Sequence, residues 1–401
     1  MRHAKGSRTA LFTCELRRDP GFAAPLLAIA DELVRLEAEA GHELRTVFAL
    51  SDPIYYGDEV ASHGHMVVPA PVAQGSLEIN SLARSYANVL AGIGFGQERQ
   101  LRLFLGTWDR LFAVLSPSVV IADNSPSACL AARGRIPLLI AGSGFSAPPI
   151  DTPAFPAIAG DVHAEISQTL IRDVVNRVLK DRRVKGIERL PEFLAGDRRA
   201  VFSVPQLDPY YAHRKEPVLS PCMDLEGPLP PREQPSIFFA LPSTFPGLTK
   251  IVRALQQAGT DMSCYAVGPQ TVGLTLLNEI GARNFEARPS LHDALSGATA
   301  VLAASADLAA SAYVAGRPQV VLRYDLETSV MAAELENRHT AIALDVTDTD
   351  KLTDAIRDVV NSSTYVQSAR EEARRLQITA PQGRSVNIAA RACLELLDRS
   401  A

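Results

Sequence analysis

A few carboxylates and hydroxyls stand where short apolar runs of the sequence end. Asp123 follows the run Ser118–Ala122, and Ser243 and Thr244 follow another such run. If these runs are strands, Asp123 could act as a general base, or it could instead cap a helix predicted to begin at Ser127. The two hydroxyls could bond a phosphate or a sugar, although loops after strands are often rich in serine and threonine in any case.

Short apolar runs alternate with amphipathic helical stretches along most of the chain. The predicted strands are Thr9–Cys14, Glu43–Leu50, Met66–Val68, Ser118–Ala122, Pro137–Ala141, Ile237–Leu241, Met262–Val267, Ala298–Ala303, Gln319–Leu322 and Ile342–Leu344. Helical periodicity lies between them, for example over Ala23–Glu39 and Gln97–Leu115. Uniformly apolar strands separated by helices are typical of parallel sheets that helices cover on both faces.

The chain is long enough for more than one domain, because 401 residues exceed what a single hydrophobic core usually serves. Four prolines crowd the stretch 222–235, which lacks periodicity and separates two alternating patterns. We therefore predict an α/β protein with two Rossmann-like domains, over 1–221 and 236–380, facing across a cleft. The stretch 222–235 is the predicted proline-rich linker, and 381–401 is a predicted C-terminal helix that could pack back on the N-terminal domain.

The composition narrows the possible classes of protein. Forty basic and 45 acidic residues give a formal net charge of −5, which argues against a nucleic-acid-binding protein. The sequence has no apolar run of about 18 residues, so no membrane span is predicted, and the N-terminus lacks the pattern of a secretory signal. Five scattered cysteines without a CxxC pair suit reduced thiols, so we expect a cytoplasmic protein.

Several segments together resemble one known family. They are Leu11-Phe12-Thr13, Ala24 to Ala30, Ala40-Gly41-His42-Glu43, Val119 to Asp123, Ala287 to Leu291, Ala315 to Leu322 and Leu326-Glu327. The set covers nearly the whole chain and resembles the GT-B glycosyltransferases, in the bacterial branch that glycosylates natural products and lipids from nucleotide-diphosphate sugars. The resemblance implies inverting transfer of a sugar to a small-molecule or lipid hydroxyl. It also implies no metal and no cofactor besides the nucleotide sugar as co-substrate, since the family neutralises the leaving diphosphate with backbone dipoles.

The segment that carries the family's catalytic base departs from the family pattern. Where the family has a histidine that deprotonates the acceptor hydroxyl, this sequence has Phe22 after Gly21, and a phenyl ring accepts no proton. The family position that matches Asp123 commonly orients that histidine, so Asp123 could serve as the base directly. We expect the acceptor near Asp19, Phe22 and Asp123, with Asp123 and Asp19 as the candidate catalytic residues. The charged loop from Glu15 to Asp19 replaces a glycine-rich one and would fill part of the cleft.

The donor-binding segment departs from the family pattern as well. The family's histidine and glycines, which open a phosphate-binding helix, are replaced by alanines around Ser305 and Asp307. Asp307 is expected to cap that helix, whereas Ser305 could either offer its hydroxyl to an anion or belong to the cap. The family's acidic residue and glutamine are Glu327 and Thr328 here, and Glu327 could bond sugar hydroxyls or only favour the helix dipole. The predicted donor site comprises Ser243, Thr244, Ser305, Glu327 and Thr328.

Two main functions stay open at this point, besides a changed reaction on a different ligand in the same cleft. The first is a glycosyltransferase with a small-molecule or lipid acceptor. The second is a catalytically inactive GT-B homologue that binds a ligand or acts as partner or activator of another protein, and a homodimer is compatible with both. Arg317 and Arg323 lie in or near the predicted donor turn and could supply charge to an anionic ligand, with exposed, solvated arginines as the alternative.

Overall fold

The structure, a computed structural model, describes residues 8–16, 23–71, 85–158, 167–225, 227–376 and 382–399. These residues cluster into two compact units. The first unit contains the described residues up to Cys222 together with those from Gly383 onwards, and the second contains the described residues from Met223 to Gln382. Each unit has its own sheet.

Each sheet has six strands, and every pair of neighbouring strands is parallel. The first sheet consists of β1 (Arg8–Cys14), β2 (Leu44–Leu50), β3 (Met66–Pro69), β4 (Val119–Asp123), β5 (Leu138–Ser143) and β6 (Arg198–Phe202). The second consists of β7 (Ser236–Pro242), β8 (Asp261–Val267), β9 (Arg283–Asn284), β10 (Ala300–Ala303), β11 (Gln319–Arg323) and β12 (Ala341–Asp345). The strand orders are β3-β2-β1-β4-β5-β6 and β12-β11-β10-β7-β8-β9, which are the same topology. The predicted fold class, an α/β chain with two Rossmann-like halves, is confirmed.

Helices connect the strands in both units. In the first unit they are α1 (Ala23–Glu39), α2 (Pro53–Ser62), α3 (Tyr86–Gly92), α4 (Glu98–Leu115), α5 (Pro126–Ala132) and α6 (Gln168–Asp181). Then follow α7 (Leu248–Ala258), α8 (Val272–Glu279), α9 (Leu291–Ser296), α10 (Ala306–Ala315), α11 (Leu326–Asn337), α12 (Leu352–Asn361), α13 (Ser363–Arg375) and α14 (Gln382–Arg399). Short 3₁₀ helices lie at Leu190–Leu194, Pro205–Leu207, Tyr211–His213 and Thr349–Lys351. Within the described ranges, no helix combines the length and apolar character that crossing a bilayer requires.

The central strands form because their residues are apolar on both faces. In β4 all five residues are buried, and in β1 only Arg8 is not. The helices show the matching amphipathic spacing: α4 buries Leu101, Leu105 and Trp108 on one stripe and exposes Arg102 and Leu103 on the other face. This two-sided cover is what a parallel sheet requires.

Among the α-helices and strands of the described ranges, four have no counterpart in the prediction: α2, α3, β6 and β9. β6 lies at one edge of the first sheet and begins with Arg198 and Arg199, so it lacks the apolar run by which the other strands were recognised. β9 is an edge strand of only two residues. Edge strands need less apolar character, because one side of each is open to other partners.

The C-terminal helix α14 packs within the first unit. Asn387 bonds Glu32 of α1, and Arg8 lies 3.0 Å from Asp398. The stretch predicted as a linker, in contrast, bonds to the second unit, where the Leu229 amide donates to the Ala315 carbonyl at 3.0 Å.

Candidate active site

The carboxyl ends of β1, β4 and β5 bring three loops of the first unit together. These strands are neighbours in the sheet, and Cys14 of β1 is in register with Asp123 of β4. Glu15 therefore follows β1 beside the last residue of β4. Ligands of open α/β sheets bind at this edge, so the polar side chains here are the first candidates for chemistry.

Asp123 is a buried carboxylate, only 2% exposed. The hydroxyl of Ser146 donates to its Oδ1 atom at 2.7 Å. That hydroxyl is itself oriented, because its oxygen accepts the Ser143 amide at 2.8 Å and its hydrogen is left to point at the carboxylate. One oxygen of Asp123 is thus fixed by the loop after β5, a contact that no sequence pattern indicated.

Gly142 makes this contact possible. A methyl group at this position would lie 2.9 Å from Asp123 Oδ1 and closer still to the Ser146 hydroxyl. Real Cβ atoms do not approach oxygens so closely. A residue with a side chain would therefore force Asp123 and Ser146 apart, so the glycine is required by the geometry of the carboxylate.

Glu15 performs the capping role that was one of the two alternatives for Asp123. Its two carboxylate oxygens accept the backbone amides of Ser127, at 3.2 Å, and Ala128, at 2.6 Å, in the first turn of α5. The N-cap residue of that helix, Ser125, makes no capping bond with its side chain. The Glu15 side chain, which was expected to fill part of a cleft, is instead 3% exposed and bonds the free amides at the start of a helix.

Burial has a further consequence for Glu15. Loss of water around the carboxylate raises its pKa from 4.5 to about 7, although the amides of Ala128 and Ser127 oppose the shift. The hydroxyl of Tyr86 lies in the same environment, and burial, with smaller effects of neighbours that include Glu15 and Asp123, raises its pKa well above the usual value. This edge of the sheet is therefore a low-dielectric environment with two carboxylates in it.

Aromatic rings pack beside these carboxylates. The ring of Tyr86 lies 5.9 Å from Phe145 and 5.3 Å from Phe155 between centroids, and its hydroxyl donates to Asn124 Oδ1 at 3.3 Å. Asn124 leaves β4 with a φ of 45°, a left-handed conformation that asparagine tolerates better than most residues. The turn after Asp123 is thus held by an aromatic cluster. Two other predicted residues of this site, Asp19 and Phe22, lie outside the described residues.

In the second unit, three predicted donor-site residues lie at one edge. Ser243 follows β7, Ser305 follows β10, and Glu327 lies just beyond β11 in the first turn of α11. β10 is the neighbour of both other strands, so all three residues lie at adjacent carboxyl ends. The rings of Phe245 and Tyr324, 5.1 Å apart between centroids, link the loops after β7 and β11.

Ser305 caps helix α10. Its hydroxyl oxygen accepts the Leu308 amide at 3.3 Å, and the side chain is 5% exposed. The capping bond expected of Asp307 is therefore made by Ser305, while Asp307 lies in the first turn and adds negative charge there. Ser305 still has its hydroxyl hydrogen to donate.

Thr328 belongs to the capping box of α11. Its hydroxyl donates to Asp325 Oδ1 at 2.8 Å and accepts the amides of Tyr324 and Asp325 at 3.0 and 2.9 Å. These three bonds use the full capacity of a hydroxyl group. Glu327, which precedes it, is 9% exposed at the same helix end.

The hydroxyls after β7 differ from each other. Ser243 is buried and donates to the Pro269 carbonyl at 2.7 Å, which ties its loop to the one after β8. Thr244 is exposed. Of the buried donor-side hydroxyls at Ser243, Ser305 and Thr328, only Ser305 keeps a hydrogen for a phosphate oxygen, since the other two already donate within the protein.

The two arginines singled out in the sequence lie near opposite ends of β11 in the second sheet. Arg323 ends β11 and pairs with Asp345 at 3.1 Å. Arg317 precedes β11, at the amino-terminal edge, and is 2% exposed, so the alternative of a solvated arginine is wrong for it. In the described part of the chain, no three histidine, cysteine, aspartate or glutamate side chains converge as metal ligands would.

No family model matches the sequence, and no curated protein sequence matches it. Solved structures match over the whole chain. The calicheamicin glycosyltransferase CalG4 has 19% identity and a TM-score of 0.62, over 99% of this chain and 100% of that one. The spinosyn rhamnosyltransferase SpnG complexed with thymidine diphosphate has 16% identity and a TM-score of 0.60, over 97% and 100%. SpnG was also solved with the spinosyn aglycone.

A third match is the Streptomyces sp. SF2575 glycosyltransferase SsfS6 complexed with thymidine diphosphate, with 16% identity and a TM-score of 0.58, over 97% of this chain and 99% of that one. By their names, all three are enzymes that transfer sugars. The resemblance stated from the sequence is confirmed at the level of the fold. This chain has the GT-B architecture over nearly its whole length.

Proposed function

We propose that the protein is a glycosyltransferase that moves a sugar, with inversion, from a nucleotide-diphosphate donor to a hydroxyl of a small-molecule or lipid acceptor. The observation that carries the proposal is the oriented carboxylate of Asp123 at the carboxyl edge of the first sheet. In a chain with the GT-B fold, this group can take the place of the missing histidine. A carboxylate in an environment with little water is a competent general base.

The proposed step is a single displacement. The acceptor hydroxyl gives its proton to the carboxylate of Asp123, and its oxygen forms a bond to the anomeric carbon of the sugar. The bond from that carbon to the diphosphate oxygen breaks, and the nucleoside diphosphate leaves with the electron pair. Attack opposite the leaving group inverts the anomeric centre. Ser146 would hold Oδ1 in place during this transfer, as a positioning residue.

On the donor side, we propose Ser305 as the hydroxyl that contacts the diphosphate and Glu327 as the group that bonds sugar hydroxyls. Ser305 is favoured over Ser243 and Thr328, because it alone of the three retains a hydrogen to donate. Thr244 is exposed at the same edge and could add a contact. The thymidine diphosphate in two of the matched structures supports a thymidine or related nucleotide as the donor class.

The acceptor class is proposed from the matched enzymes. The side chains of Tyr86, Phe145 and Phe155 pack together beside the carboxylate but are almost fully buried, so they lower the polarity around Asp123 without forming a surface for the acceptor. The calicheamicin and spinosyn named for the matched enzymes support a small natural-product hydroxyl.

The test is a comparison of Asp123→Asn with the native protein. Binding of thymidine- and uridine-diphosphate sugars is measured by calorimetry, and release of nucleoside diphosphate is measured with a panel of hydroxyl acceptors that includes the spinosyn aglycone. We expect Asp123→Asn to lower the transfer rate by at least about 100-fold with donor affinity unchanged, because general-base catalysis contributes that much.

Asp197→Asn is the matched control, because this aspartate also bonds within the first unit but lies at the amino-terminal end of β5, where it accepts the Leu138 amide at 2.8 Å. Its transfer rate should stay close to the native one. Native rates in Asp123→Asn would remove the proposed base. Failure of the native protein to bind any nucleotide sugar would remove the transferase and leave the non-catalytic homologue.

A further inference from the structure

A cavity of ≈ 70 Å³ opens at the amino-terminal edge of the second sheet. Pro235, Thr299 and Pro318, which line it, lie just before β7, β10 and β11, and the ends of α12 and α13 close the other side. The proposed donor residues lie at the carboxyl ends of the same strands. The cavity is therefore at the opposite edge of the sheet from the donor site.

Three arginines converge on this cavity: Arg232, Arg317 and Arg370. Arg317 is 2% exposed, whereas Arg232 reaches the cavity from the exposed segment before β7. Burial, together with the positive charges of Arg370 and Arg232, lowers the pKa of Arg317 to about 10. The guanidinium groups of Arg370 and Arg232 are thus both close enough to Arg317 to repel its positive charge.

No carboxylate in the described part of the chain neutralises this group. Arg317 donates from Nε to the Leu295 carbonyl at 3.1 Å and from Nη2 to the Pro230 carbonyl at 2.8 Å, and both partners are uncharged. Glu233 also lines the cavity, but it is exposed and lies beyond ion-pair distance of all three arginines. A buried guanidinium usually has an anionic partner, because desolvation of an unpaired charge is costly.

Arg370 adds an unsatisfied donor to the cavity. Its Nε atom is buried and has no hydrogen-bond partner among the described residues. Arg370 reaches this place because α13 packs closely on the turn after α10: a methyl group on Gly316 would lie 3.4 Å from the Cα atom of Arg370. Buried donors without a partner are rare in folded proteins and call for an explanation such as an unseen ion.

We propose that this cavity binds a phosphate group, held by Arg232, Arg317 and Arg370, at a site separate from the sugar donor. Planar guanidinium groups bond phosphate oxygens in pairs, and a divalent anion would offset three converging positive charges. The volume suits one phosphate group and leaves the remainder of a larger ligand at the mouth, beside Glu233. The phosphate comes either from an inorganic anion or from a nucleotide.

The experiment is calorimetry of the full chain at constant ionic strength, with inorganic phosphate, pyrophosphate and thymidine diphosphate as separate probes. Arg232→Gln and Arg370→Gln should each weaken binding by about tenfold, since each removes a charge-assisted hydrogen bond. Glu233→Gln should strengthen it, because the variant removes the one negative charge at the mouth. Arg323→Gln is the matched control, as this arginine lies at the other edge of the sheet and pairs with Asp345.

Two outcomes support the site. If inorganic phosphate or pyrophosphate binds and loses affinity in Arg370→Gln but not in Arg323→Gln, the ligand is an inorganic anion. If only thymidine diphosphate binds with that sensitivity, the phosphate belongs to a nucleotide. Absence of binding by all three probes overturns the proposal, and so does binding that Arg232→Gln and Arg370→Gln leave unchanged. Sugar transfer is tested separately, because the Asp123→Asn comparison measures turnover at the carboxyl edges, and thymidine diphosphate bound there is recognised by its insensitivity to Arg370→Gln.

Discussion

The first unit should become less stable as the pH rises from about 4.5 to 7, because the folded chain holds the Glu15 carboxyl in its protonated form. The carboxylate is buried, and its pKa in the folded chain is about 7 against an ordinary value of 4.5. Below pH 4.5 the group is protonated in both states and costs nothing. Between the two values the unfolded chain releases the proton while the folded chain retains it, so stability falls; above about pH 7 the loss is complete.

The size of the effect follows from the shift. Each pKa unit corresponds to about 1.4 kcal/mol, so the full loss is about 3 kcal/mol. Replacement of Glu15 by glutamine removes the titration but keeps a side-chain oxygen that can accept one of the two α5 amides. Loss of the hydrogen bond to the second oxygen lowers the free energy of unfolding by the same amount at every pH. This loss therefore cancels when the stability of the variant at one pH is compared with its stability at another.

The assay is urea unfolding of the native protein and Glu15→Gln at pH 5 and pH 8. Trp108, the single tryptophan, is fully buried in α4 of the first unit, so its fluorescence follows that unit even if the second unit unfolds separately. Between pH 5 and pH 8 the free energy of unfolding should fall by roughly 2 to 3 kcal/mol more in the native protein than in Glu15→Gln. Both proteins share every other titratable group, so the difference isolates Glu15.

Parallel pH profiles would refute the reasoning, since they would show that Glu15 has the same proton affinity in the folded and unfolded chains. A profile in which Glu15→Gln loses stability toward pH 8 would refute it more strongly. That result would mean that the carboxylate stabilises α5 as an anion, with the two amide bonds outweighing desolvation.

Three further perturbations follow from the site. Gly142→Ala should cost about 1 to 3 kcal/mol in urea unfolding and lower the transfer rate, because the new methyl group displaces the Asp123 carboxylate; an unchanged rate would contradict the orienting role of the loop. Ser305→Ala should cost about 1 kcal/mol through loss of the α10 cap and weaken donor binding about tenfold, whereas unaltered donor affinity would remove it from the donor site. Arg214→Met should destabilise the first unit by about 3 to 5 kcal/mol, because it leaves Asp208 buried without its 2.7 Å partner, and a second change, Asp208→Asn, should recover most of the loss in thermal unfolding.

The fold was predictable because its core strands are apolar on both sides. β4 and β10 are buried at every position, and such runs separated by amphipathic helices admit few architectures other than a parallel α/β sheet. The edge strands were harder to predict from the sequence. β6 begins with two arginines because one side of an edge strand is open, so the apolar signal used for the central strands is weaker there.

The positions of individual candidate residues were easier to predict than their bonding. The sequence placed Asp123 at the end of a strand and Ser243 after another, where the structure has them, and it placed Glu327 next to a helix N-terminus, which the structure puts at Leu326. It could not distinguish a capping side chain from a free one, because that depends on strand order and loop approach. Glu15 caps α5 only because β1 and β4 are neighbours, so that the carboxylate after one strand meets the helix after the other. Ser146 was missed for the same reason, since it reaches Asp123 from the loop after a third strand.

The two sheets share one strand order, but the polar side chains at the carboxyl ends of their strands differ in the hydrogen bonds that they already make within the protein. At the first edge a hydroxyl orients the Asp123 carboxylate, as the proposed role in proton transfer requires. At the second edge hydroxyls are used by the protein itself: Thr328 is saturated, Ser243 has given its hydrogen to a carbonyl, and Ser305 accepts a helix amide. A diphosphate needs donors, and helix α10 already has one of its amides capped. For the proposed transferase, we therefore expect the nucleoside and the sugar, rather than the diphosphate, to supply much of the affinity for the donor. Donor identity is then the property by which this second edge can differ most from a glycine-rich one.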